Sequence, residues 1–178
     1  MRGLGGVGKS ELAAHWAATG PHRCRLVRWF TADSAAAVQN PLGDLATALQ
    51  PALAAALPPD ALAEFGLQWL AAHREWLVVL DNVTGPADIA PLIARADRGR
   101  FLITSRLAAG WNHCVTTIHL DVLAPEESYD LLAGILADRD LDGAFELCAE
   151  LGQLPFALVQ STAYLEQNPL LPPVATRA

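Results

Sequence analysis

The run Gly3-Leu4-Gly5-Gly6-Val7-Gly8-Lys9-Ser10 holds the chain's single lysine in the spacing G-x-x-x-x-G-K-S. Each residue type in this phosphate-binding pattern has a physical task. Glycines let the backbone turn tightly and aim its N–H groups inward at a polyphosphate. The helix that follows sets its positive N-terminal end against the same anion. Lys9 offers a compact charge to terminal phosphates, and the Ser10 hydroxyl offers a hard oxygen to Mg²⁺. A glycine-rich loop that merely caps a helix is the plainer alternative. Asp81 ends the apolar run Trp76-Leu77-Val78-Val79-Leu80, which would place a carboxylate at the edge of a sheet where Mg²⁺ can be held. An aspartate that simply closes a strand is the alternative there. Arg106 follows Ile103-Thr104-Ser105. Its planar fork suits a γ-phosphate, and equally a surface ion pair.

The elements that must position these groups follow from periodicity and punctuation. Ser10 to Thr19 reads as a helix stopped by Gly20-Pro21, and residues 25–30 as a strand. Asp33 or Ser34 caps a weak helical stretch, with Pro41 and Pro51 punctuating the alanine-rich region up to Pro58-Pro59. Leu62, Phe65, Trp69, Leu70 and His73 recur at helical spacing. The continuous run at 76–80 suits a strand buried on both faces. Residues 100–105 and 116–122 give further strands. Helices alone are expected beyond Leu123, over 125–138, 142–151 and 155–167. Strands alternating with helices predict an α/β fold with a parallel sheet, followed by a small all-helical part. The expected divisions are 1–122, 123–168 and a flexible tail at 169–178.

A chain of 178 residues with 52% hydrophobic content can bury one sizeable core. It has no apolar run of membrane-spanning length and no leader-like start, so a cytoplasmic setting without membrane contact is expected. The formal charge of −7 argues against direct nucleic-acid binding. Cys24, Cys114 and Cys148 lack framework spacing and read as reduced thiols. The arginine- and alanine-rich composition suggests a bacterial source.

Taken in order, GLGGVGKSELA, WLVVLDNV, FLITSR, LAPEES and LGQLPFALVQSTAYL resemble the NB-ARC, or STAND-type, signal-transducing P-loop ATPases, most closely the bacterial members. The likeness runs from Gly3 to about Tyr164. It implies the P-loop NTPase fold with a helical lid, and an ADP/ATP-binding switch with Mg²⁺ as cofactor. Gly3, Leu4, Gly5, Gly6, Val7, Gly8, Lys9, Ser10 and Glu11 would surround the phosphates, while Ser10 and Asp81 would hold the metal. By analogy Arg106 reads the γ-phosphate and Pro155 packs on adenine. Lys9, Asp81 and Arg106 would be the residues of any hydrolytic step. Effector and repeat domains in a longer parent protein, and ATP-dependent self-association, belong to the same expectation.

Three departures from the family pattern carry consequences. The family's central strand precedes the loop, where this chain has only Met1 and Arg2. Either the chain is a fragment of a longer reading frame, missing its first strand and less stable than an extended version, or another segment fills the gap; the fragment is the expectation. Asn82 stands where many relatives carry a second acid, and an amide cannot accept a proton from water. Hydrolysis should be slow or negligible, so the chain is at most a slow ATPase. The family's winged-helix, effector and repeat domains do not follow within these residues. An active P-loop ATPase or kinase is the alternative reading, and a non-binding fragment or interaction module a further one. The group His113, Cys114 and His119 makes a poor zinc site, and His22, Arg23, Arg25 and Arg28 read as a solvated basic face.

Overall fold

The computed structural model describes residues 1–20, 23–111, 115–136 and 141–168. Its elements are, in order, α1 (Lys9–Thr19), β1 (Leu26–Thr31), α2 (Ala35–Leu49), α3 (Leu53–Ala56), α4 (Pro59–Ala72), β2 (Trp76–Val83), α5 (Pro86–Arg95), β3 (Arg100–Ser105), α6 (Pro125–Ile135), α7 (Ala144–Glu150) and α8 (Pro155–Gln167). The three strands form one parallel sheet in the order β1-β2-β3, and the expected α/β fold class holds. The residues divide into two compact units. One comprises Met1–Arg2 with Lys9–His119, the other Gly3–Gly8 with the described residues from Leu120 onward.

In the first unit the pleat of β2 explains why its run is continuously apolar. Trp76, Val78 and Leu80 point into a core shared with Phe30, Val38, Leu42, Leu45, Leu70 and Ile89. Leu77 and Val79 point the opposite way, onto Ala13 of α1. A strand covered on both faces has no polar side to show. Each such aliphatic side chain contributes about 1.5–3 kcal/mol when fully buried. Trp76 closes the start of the strand: its indole N–H donates to the carbonyls of Leu70 and His73 at 3.0 and 3.1 Å.

Pro41 does not break the chain where the sequence suggests it should, for α2 continues through it. Ser34 caps this helix, its hydroxyl accepting the Ala37 N–H at 3.2 Å. Burial of Val38, Leu42, Leu45 and Ala46 offsets the hydrogen bond that proline removes. The neighbouring α4 comes close at Gly66, where any side chain would meet the Leu42 carbonyl.

Met1 and Arg2 lie beside β3. Arg2 forms parallel bridges to both Ser105 and His119. Its N–H donates to Ile118 at 2.9 Å, and the Ser105 N–H donates to Met1 at 3.0 Å. The Met1 ammonium donates to the Ile103 carbonyl at 2.5 Å. Burial, and secondarily the Lys9 charge, push that amine below its usual pKa. The strand expected over 116–122 is reduced to the single bridge at His119, because the neighbour it pairs with contributes two residues.

The second unit holds the helices expected after Leu123. Pro125 sits at the first position of α6, and the Glu127 carboxylate accepts the Ala124 N–H at 2.8 Å, which satisfies a donor the helix cannot. Leu132, Leu136, Leu147, Cys148, Leu158 and Leu165 form its core. The residues proposed as a tail, 169–178, lie outside the described residues.

Candidate functional site

The first unit gathers Lys9, Ser10, Asp81 and Arg106. Lys9 opens α1 and is 9% exposed. Burial lowers its pKa, as does the Arg106 charge to a smaller extent, while Asp81 acts in the opposite direction. The Ser10 hydroxyl donates to Asp81 Oδ1 at 2.7 Å. Asp81 lies near the carboxyl end of β2, paired in register with Thr31 of β1. Glu11 follows in the first turn of α1 and is exposed.

A second hydroxyl converges on the same carboxylate oxygen. Thr104, 1% exposed on β3, donates to Asp81 Oδ1 at 2.5 Å. Its oxygen accepts the Asn82 N–H at 2.9 Å. Asn82 has φ 61°, a left-handed conformation that asparagine tolerates better than most residues. There the β2–β3 register slips between Leu80 and Val83. Beyond Thr104, the Ser105 hydroxyl donates to the Val83 carbonyl at 2.7 Å and accepts the Leu107 N–H at 3.1 Å. These two bonds fix the backbone on either side of Arg106, whose side chain is exposed. An open cleft of about 240 Å³ is lined by Asn82, Val83, Thr84, Arg106 and Leu107.

The second unit carries Gly3–Gly8 and Pro155. Gly6 and Gly8 have φ of +82° and +89°, values at which an L side chain is strained. Leu4, Gly5 and Gly6 are exposed, and Val7 is buried. Pro155 takes the first position of α8 and is half-buried. The next residue, Phe156, donates its N–H to the Gly6 carbonyl at 3.1 Å and is itself 63% exposed. Thr104 and Phe156 stand inside the quoted runs FLITSR and LPFAL, yet neither side chain has a readable role from sequence. Their partners lie 23 and 150 residues away, at Asp81 and Gly6. Of the group set aside as a poor zinc site, His119 forms the bridge to Arg2, and His113 and Cys114 lie outside the described residues.

No family model matches the chain. It is 31% identical over 173 residues to regulatory protein AfsR of Streptomyces coelicolor, an alignment covering 89% of this chain and 17% of the relative. To AfsR of Streptomyces griseus it is 32% identical over 175 residues, again 89% of this chain and 17% of the relative. The chain thus spans about a sixth of the length of the curated relatives it matches. Among solved structures it is similar to a Signal Transduction ATPase with Numerous Domains from Pyrococcus horikoshii, one with a tetratricopeptide repeat sensor. The TM-score is 0.52 at 17% identity, over 86% of this chain and 25% of that one. The chain is thus similar in sequence to two regulators, and it shares its P-loop NTPase-like α/β fold with a STAND ATPase.

Proposed function

We propose that this module binds ADP and ATP as a regulatory switch and hydrolyses ATP slowly or not at all. The observation that carries the reading is the meeting of Lys9, Ser10 and Asp81 at the head of α1 and the end of β2. A buried ammonium suits a phosphate, and two hard oxygens at 2.7 Å suit a magnesium ion. Mg²⁺, when bound, would neutralise phosphate charge. The Gly3–Gly8 amides would wrap the phosphates, and Lys9 would hold the terminal ones. Pro155 would pack on adenine from the helical lid, taken as residues 123–168 against a core of 1–122. Arg106 would report the third phosphate.

A switch needs unequal affinity of its two states for the two nucleotides, because a ligand that binds both states alike shifts nothing. Asn82 supports persistence of the bound state, since its amide cannot take a proton from an attacking water. The length of the AfsR relatives supports a parent protein whose other parts receive the signal and act on it, with self-association in the ATP state. No helix among the described residues is long and apolar enough to cross a membrane, and a cytoplasmic setting is part of the proposal. The test is the ratio of ATP to ADP affinity in wild type and Arg106→Ala. A ratio that changes about tenfold, or 1.4 kcal/mol, supports the switch. An unchanged ratio removes Arg106 as its sensor.

A further inference from the structure

We propose that Thr104 is a positioning residue for magnesium, holding the Asp81 carboxylate in the orientation that lets it share a cation with Ser10. The proposal rests on the nucleotide-binding reading above and adds a determinant of its metal dependence. Thr104 is 1% exposed, so its hydroxyl exchanges no bonds with solvent. That hydroxyl has one proton. The Asn82 N–H, 2.9 Å away, can only donate. The proton of Thr104 is therefore committed to Asp81 Oδ1, 2.5 Å away. Asp81 Oδ1 also receives the exposed Ser10 hydroxyl, the very group that would turn its lone pairs to the cation. Thr104 is thus the buried, fixed partner of the carboxylate, and Ser10 the exposed one.

The backbone supports the same assignment. Between Leu80 and Val83 the ladder to β3 slips, and Asn82 turns through φ 61°. On the β3 side the regular pairing of the Asp81–Asn82 peptide is interrupted there, while on the β1 side its carbonyl accepts the Ala32 N–H at 2.8 Å. The Thr104 hydroxyl takes the place of the β3 pairing, accepting from the Asn82 backbone while donating to the Asp81 side chain. One hydroxyl thus holds both the N–H side of the peptide that aims the carboxylate and the carboxylate itself.

The experiment is a calorimetric titration of the full chain with ADP in EDTA and across a magnesium series. The variants are Thr104→Val, which keeps the volume, Thr104→Ser, which keeps the hydroxyl, and Thr104→Cys, which keeps a weak donor. In Thr104→Val, the magnesium concentration giving half of the metal-dependent tightening should rise about tenfold, the effect of one charge-assisted hydrogen bond. Affinity in EDTA should stay as in wild type. Thr104→Ser should restore the wild-type dependence, and Thr104→Cys should fall between, which decides the matter even if the valine variant does not fold. Wild-type magnesium dependence in the valine and cysteine variants overturns the proposal. Equal weakening with and without metal also overturns it, because it marks a purely structural role. A wild-type chain that binds no ADP in any condition removes the nucleotide reading, and this inference with it.

Discussion

The backbone N–H of Phe156 donates to the carbonyl of Gly6 at 3.1 Å, tying the first turn of α8 to the middle of the glycine loop. First-turn amides have no partner within their own helix, so this one is free to hold the loop. A Cβ on Gly6 would stand 3.2 Å from that of Phe156, on a backbone with φ +82°. Gly6→Ala is accordingly expected to cost about 1–2 kcal/mol. Urea midpoints measure it, and a midpoint equal to wild type would show that the tie bears no strain.

Asn82 invites a hydrolysis test. Aspartate also tolerates the left-handed backbone found there, φ 61°, so Asn82→Asp changes the chemistry with little change of fold. Phosphate release by the unmutated chain should be slow, and the variant should be faster by about 10²-fold or more, the usual gain from a positioned base. Brisk turnover by the unmutated chain contradicts the switch reading.

Met1 and Arg2 pair on both sides, with Ser105 and His119, and the Met1 amine is held below its usual pKa by burial. A peptide bond in place of that amine removes a charge that is costly to bury. Extending the chain before Met1 by an apolar, strand-forming segment should raise the urea midpoint. Equal midpoints for the two lengths would refute this.

Arg95 on α5 forks onto Glu64 on α4, with bonds of 2.9 and 2.5 Å. The Arg95 hydrogen bonds, helped by Gln68, pull the Glu64 carboxyl down to about 2 from 4.5. A carboxylate depressed in the folded state stabilises the fold above its unfolded value and withdraws that support as pH falls toward 2. Arg95→Ala should return the Glu64 titration toward 4.5 and reduce stability most above that pH, by progressively less as pH falls toward 2. The pair is half exposed, which keeps the loss small. An NMR titration in which Glu64 does not move would discard the assignment.

What could be read from the residues was what local pattern controls. The all-buried β2 follows from its apolar run, and α1 follows from the loop before it and Gly20 after it. Helices α6 to α8 follow from their prolines, acids and periodicity. Pro41 misled because its local preference is weaker than the burial of Val38, Leu42 and Leu45 around it. The stretch 116–122 misled because a strand depends on its neighbour, and here that neighbour is Met1–Arg2. At the site, residue types pointed to Lys9, Ser10 and Asp81, but Thr104 looked like any strand threonine. Its role depends on a partner 23 residues away in the chain, and no local pattern carries that information.

The most direct test of nucleotide binding is a calorimetric titration of the chain with Mg-ADP and Mg-ATP, with Lys9→Ala alongside. Saturable binding is predicted for the unmutated chain, weakened at least 10- to 100-fold in the variant, the equivalent of losing about 1.5–3 kcal/mol from one charged hydrogen bond. No heat of binding from a folded, unmutated chain, or equal affinity in the variant, would contradict a phosphate site at Lys9.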